Sequence, residues 1–152
     1  MAWILASLLA GFFLLAAPSV GRAADPQVID LTQTACQFLE SESGIDRKFT
    51  TKKKSDCEAI NAATGAERLA AAQPLRLKAG HHVFRVTNKN VPYELGFWLR
   101  GSGVGRVTLP SVSGGGLTPG GSRDYVIDLK PGEYVYSCPL NTTPDYRLVV
   151  EQ

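Results

Sequence analysis

The sequence has one methionine, Met1, and only two histidines, the adjacent pair His81 and His82. No thioether ligand is therefore available beyond the first residue. Neighbouring residues of a strand point to opposite faces, so these two imidazoles cannot chelate one ion from a regular backbone. His81 reads as a surface residue and His82 as a half-exposed strand residue. No nucleophile–His–acid arrangement can be assembled, and there is no carboxylate pair or phosphate loop followed by Lys and a helix. The chain is expected not to be an enzyme. It lacks internal repeats, and it lacks a charge excess of either sign. Setting aside Arg22 leaves 15 of the 16 basic residues against 14 acidic ones, a net of +1. That balance gives no electrostatic case for nucleic acid. The one basic cluster, Lys52 to Lys54, reads as a solvated loop.

Long apolar runs are missing too, except at the start. Trp3 to Ala17 is broken only by Ser7 and Gly11, and Pro18, Ser19, Gly21 and Ala23 follow. This run is shorter than the ~20 residues of a membrane span and has the form of a secretory signal, cleaved after Ala23. The expected organisation is a signal peptide over residues 1–23 and a single domain over 24–152. The mature chain is expected in the periplasm, with no membrane span after cleavage.

Three cysteines lie beyond the signal: Cys36, Cys57 and Cys138. Export places them where disulfides form, and an odd count leaves one thiol over. A Cys36–Cys57 bridge would staple an insertion to the rest of the domain and leave Cys138 free. A Cys36–Cys138 bridge is the alternative and would remove any thiolate site.

Alternation marks strands at Val28–Thr32, Leu75–Lys78, His82–Asn88, Tyr93–Leu99, Arg123–Leu129, Glu133–Cys138 and Tyr146–Glu151, with a possible short strand at Val107–Leu109. Gly114 to Gly116 rules out a regular element there. Capping-box spacing at Ser55–Glu58 and again at Thr64–Glu67 predicts one or two short helices over Asp56–Gln73, interrupted near Gly65 and ended by Pro74. Seven or so short strands with regular turns predict an all-β sandwich or barrel.

The C-terminal run narrows that class. Pro131-Gly132, Tyr134, Tyr136, Cys138 and the strand Tyr146–Val150 resemble the closing motif of the cupredoxin family. Leu117–Ser122, Phe84–Asn88 and Val91-Pro92 resemble other segments of that family. The resemblance implies a Greek-key β-sandwich; the helical stretch after the first strand, about 37–73, has no counterpart in the small blue copper proteins and reads as an insertion. A blue-copper site needs two His and one Cys with a weak axial Met. By the resemblance Cys138 holds the thiolate position and Tyr93 stands at the first His. The second His would fall within 139–144, which contains none. A blue site is not expected.

The chain is similar also to the EfeO-type cupredoxin-like domain of periplasmic iron uptake. That similarity implies a metal site from Cys138, Glu94 and Cys36, with copper first and ferric iron second. Cys36 would contribute only if not oxidised. The implied function is binding or delivery of a transition metal through a non-blue site, with a periplasmic or membrane metal-transport protein as the partner. The alternative is a metal-free β-sandwich acting as an accessory or interaction subunit, with Cys138 buried or paired.

Overall fold

The computed structural model describes residues 25–152. The expected signal peptide at 1–23 lies outside the described residues. Among those described, no helix is long and apolar enough to cross a membrane.

Two sheets form the domain. One has four strands in the order β2-β1-β4-β7, built from β1 (Gln27–Thr34), β2 (Gln37–Phe38), β4 (Gly80–Asn88) and β7 (Ser122–Leu129). The other has five in the order β3-β9-β8-β5-β6, from β3 (Leu75–Lys78), β5 (Leu95–Gly101), β6 (Val112–Leu117), β8 (Gly132–Ser137) and β9 (Tyr146–Glu151). Two contacts are parallel, β1 with β4 and β3 with β9, and the rest are antiparallel. Alternation along each strand sends one face inward. On β5 the inward residues are Leu95, Phe97 and Leu99, while Trp98 is exposed on the outer face.

Phe97 is the centre of the core. Its ring packs against Phe84 and Tyr125 from the four-stranded sheet at centroid distances of 5.6 and 5.1 Å. It also packs against Tyr136 of β8 at 6.2 Å and Phe38 of β2 at 6.1 Å. These edge-to-face and offset geometries are the favoured ones for aromatic quadrupoles.

Between β2 and β3 runs α1 (Lys54–Ala71). It starts earlier than expected and is one continuous helix through Gly65. The Asp56 carboxylate accepts from the Lys52 and Lys53 amides at 2.8 and 3.1 Å, which closes the first turn. The expected Ser55–Glu58 box is thus replaced by one centred on Asp56. Gly65 does not break the helix because tertiary packing outweighs its propensity cost. A methyl at Gly65 would meet Asn61 Cβ at 3.6 Å and Pro144 at 4.0 Å, both ordinary contacts. Gly65→Ala is therefore expected to raise stability by roughly 0.5–1 kcal/mol, read from the midpoint of denaturant unfolding.

Three further expectations are corrected. Val107–Leu109 is not a strand: Gly103–Val107 is a short 3-10 helix. The glycine run Gly114–Gly116 lies inside a strand, β6, at the sheet edge. His82 is buried rather than half-exposed, its ring bonded to the Gly80 carbonyl at 2.9 Å and Gln27 Oε1 at 3.2 Å.

Candidate functional site

Cys138 follows β8, at the start of the loop to β9, and is 1 % exposed. Three segments converge on it. Its Sγ accepts from the Gly96 amide at 3.4 Å and the Asn141 amide at 3.2 Å. Its own amide donates to Thr143 Oγ1 at 2.9 Å. The Gly96 contact depends on an irregularity, because the β5–β6 register shifts between Leu95 and Phe97. Bulges of this kind re-aim groups beside functional sites. Glycine is needed there, since a Cβ on Gly96 would sit 2.7 Å from the Gly114 carbonyl. Burial pushes the Cys138 thiol up, and the backbone hydrogen bonds to sulfur only partly oppose it. The group is a protonated thiol at neutral pH, the form that is a poor nucleophile.

Asn141, fully buried, fills the space beside it. Its Oδ1 accepts from the Cys36 amide at 3.1 Å and from the Tyr93 hydroxyl at 3.3 Å. Its Nδ2 donates to the Thr34 carbonyl at 2.8 Å. Both ends of the side-chain amide are engaged, as a buried amide requires. Tyr93 is further held by Thr51 Oγ1 at 3.1 Å, and burial pushes its phenol up, so it keeps its proton.

Cys36 and Cys57 form a disulfide, and Cys138 is free. Of the two pairings left open by the sequence, the one that staples the insertion is present. Cys36 accordingly offers no thiolate. Cys57 Sγ lies 3.2 Å from Asn141 Oδ1, a contact rather than a hydrogen bond because the disulfide sulfur carries no proton. Glu94 is exposed, just before β5, and its Oε1 accepts from the Gly116 amide at 2.7 Å. It sits at the rim of the same loop cluster, over Gly115 and near Leu140. Among the described residues no three His, Cys, Asp or Glu side chains converge so as to hold a metal ion.

The fit of a cupredoxin copper ion follows from these donors. The thiolate position is occupied by Cys138. Tyr93 and Asn141, bonded to each other at 3.3 Å, stand beside it, and neither carries an imidazole. The two His are at the opposite end of β4 from Asn88, about 20 Å along a strand of this rise. One is bonded to Asp128 at 2.7 Å and the other is buried as described. The residues present do not fit a two-His, one-Cys centre. The sequence already allows Asn141, unlike Pro139, to donate to the Cys138 sulfur, and it does; what sequence reasoning missed is its side chain, which ties Thr34, Cys36 and Tyr93 together. The signal was only that Asn141 lies three residues after Cys138, in a loop searched for His.

Solved structures similar to this chain include auracyanin B. It is 13% identical, with a TM-score of 0.52, over 86% of this chain and 94% of that chain. An amicyanin variant in its reduced Cu(I) form at pH 4 is 14% identical over 86% of this chain and 87% of its own, with a TM-score of 0.38. A second, oxidised amicyanin variant is 17% identical over 53% and 71%, with a TM-score of 0.36. No family model and no curated protein matches the sequence. The likeness to auracyanin B is one of fold: a two-sheet, cupredoxin-like β-sandwich with one helix inserted after the early strands.

Proposed function

We propose that this chain is an exported, periplasmic accessory or interaction module with a cupredoxin-like fold, and not an enzyme or a blue-copper electron carrier. The observation that carries this reading is the closed hydrogen-bonded cluster of Cys138, Asn141 and Tyr93. It engages the groups that a metal would need. The disulfide supports an oxidising compartment. In this reading the sandwich serves as a rigid scaffold, and the ligand end of the fold is a packed polar plug.

A second reading keeps the metal. Its support is that Cys138 is the one unpaired cysteine and stands at the thiolate position. It assigns copper first, or ferric iron, to the EfeO-type set Cys138, Glu94 and Cys36, in service of a metal-transport partner. With Cys36 oxidised, that set reduces to one buried thiol and one exposed carboxylate. Equilibrium dialysis of the mature, disulfide-bonded protein against Cu(I), Cu(II) and Fe(III) separates the two. The proposal expects well under one ion per chain and no difference between wild type and Cys138→Ser. Stoichiometric metal that Cys138→Ser abolishes would establish the second reading instead.

A further inference from the structure

One face of α1 lies on the loop that follows Cys138. Cys57 touches Asn141. One turn later the Asn61 side chain donates to the Thr142 carbonyl. Another turn on, Gly65 faces Pro144. The spacing of four residues places these on a single stripe of the helix. Upstream, Thr51 reaches Tyr93 at 3.1 Å. The inserted segment from Thr51 to Gly65 therefore runs as a strap across the end of the sandwich where Cys138 is buried.

The two ends of the strap are held differently. Its C-terminal end is fixed by Arg68, which donates to Glu42 Oε1 at 2.7 Å and to the Cys36 carbonyl at 2.8 Å inside the core. Its N-terminal end has the Cys36–Cys57 disulfide. The other anchors there are the neutral contacts of Thr51 with Tyr93 and of the Asn61 amide with the Thr142 carbonyl, and the Asn61 side-chain oxygen accepts from Arg68 at 2.7 Å. Cys36 itself sits in the turn between β1 and β2 with φ of 62°. That left-handed conformation suits glycine or asparagine, and a cysteine is kept in it only by surrounding constraints. The disulfide, the Cys36 amide bond to Asn141 and the Arg68 contact supply those constraints.

We infer that the Cys36–Cys57 bridge is a redox latch on this strap. Both sulfurs are buried, so a dithiol reductant reaches them as the N-terminal end of the strap opens transiently; it delivers two electrons and two protons, leaves as a disulfide, and converts Cys36 and Cys57 to two thiols. Cys36 can then leave its left-handed turn conformation, and its amide releases Asn141. The first half of α1 lifts while Arg68 holds the second half. The loop from Cys138 to Pro144 becomes open to solvent, and the buried thiol becomes available to soft electrophiles. The inference rests on the proposed reading that this end of the sandwich is closed in the oxidised protein.

The test is the rate at which native protein is alkylated at Cys138, followed on the Cys138 peptide by mass. Oxidised wild type is compared with wild type reduced by a phosphine and with Cys36→Ser/Cys57→Ser. The latch predicts slow labelling of the oxidised form and at least tenfold faster labelling of the other two. Hydrogen exchange should quicken at Asp56–Ala62 while Phe97 and Tyr136 stay protected. Asn61→Ala, with the disulfide intact, should leave labelling slow. Fast labelling of the oxidised protein overturns the closed reading itself. Slow labelling in all forms leaves closure standing and overturns the latch. Loss of protection at Phe97 together with the helix also overturns it, because that is global unfolding. The reduced wild type answers the question even if the double variant does not fold, and a bridge that the phosphine leaves intact in the native protein also overturns the latch.

Discussion

Arg68→Ala is expected to destabilise the protein by about 3–5 kcal/mol, the range for removing one partner of a buried ion pair. Arg68 and Glu42 have side chains only 1% and 2% exposed. The guanidinium makes bonds to Glu42, Asn61 and the Cys36 carbonyl, and it lies 5.2 Å from the centroid of the Phe49 ring. Glu42 Oε1 also accepts from the Tyr146 hydroxyl at 2.5 Å, and Oε2 accepts from Arg47 at 2.6 Å. Without Arg68, a carboxylate remains buried with too few donors. The pair therefore anchors the inserted helix to both sheets, through Tyr146 on β9 and the β1–β2 turn.

The same cluster sets the acid limb of stability. Burial raises the Glu42 carboxyl, but the hydrogen bonds from Arg68, Tyr146 and Arg47 outweigh it and hold the group below its ordinary value of 4.5. A depressed carboxyl contributes stability that is complete above its unfolded pKa and is lost as the pH falls through the folded value. Wild type should thus lose stability below about pH 4.5, as expected for an ordinary Glu in the unfolded chain. In Glu42→Gln that part of the loss should be absent, although the variant is weaker at pH 7. Guanidinium titrations at pH 7 and at pH 3–5 read both effects.

Phe97→Ala is the second large expected effect, about 3–5 kcal/mol from lost burial plus the cavity left behind. For a domain of this size that corresponds to a fall in thermal midpoint on the order of 10–20 °C. The ring is fully buried and touches aromatic partners from both sheets, so no single neighbour can move to refill the space. Phe97→Leu should recover part of the loss. Trp98→Ala, one residue away on the exposed outer face, should cost much less, although Arg100 stacks on its ring at 3.9 Å.

The contrast between Phe97 and Trp98 is also what made the fold legible. Period-two alternation marks β4 and β7, and β8 and β9 fall where they are expected, whereas β5, read as an apolar strand over Tyr93–Leu99, runs two residues later, over Leu95–Gly101, with only Trp98 exposed. The motif around Tyr134, Tyr136 and Cys138 adds the cupredoxin-like arrangement. The failures share a cause: local propensity yielding to tertiary contact. Gly114 to Gly116 form a strand because nearby side chains need the space. A Cβ on Gly114 would meet the Tyr125 ring at 3.1 Å, and one on Gly115 the Glu94 carboxylate at 3.1 Å. Alternation cannot be seen where there are no side chains. Gly65 stays helical because the helix is bound along its length to the loop it covers. At the site, the position of Cys138 was legible and its condition was not. Whether a thiol is open or sealed depends on Asn141, whose amide reaches Thr34, Cys36 and Tyr93 from far along the chain. No spacing rule encodes those distances.

The central claim of the proposed reading is that Tyr93 and Asn141, hydrogen-bonded beside Cys138, close the site. Titration of the purified, disulfide-bonded protein with Cu(II), followed by visible absorbance, tests it most directly when run on wild type and on Tyr93→His/Asn141→His. The account predicts a colourless wild type. It predicts that the double variant gains the intense thiolate-to-copper band of a two-His, one-Cys site. A stoichiometric visible band in wild type that Cys138→Ser removes would contradict the closed site. A folded double variant that stays colourless would contradict the placement of those two residues.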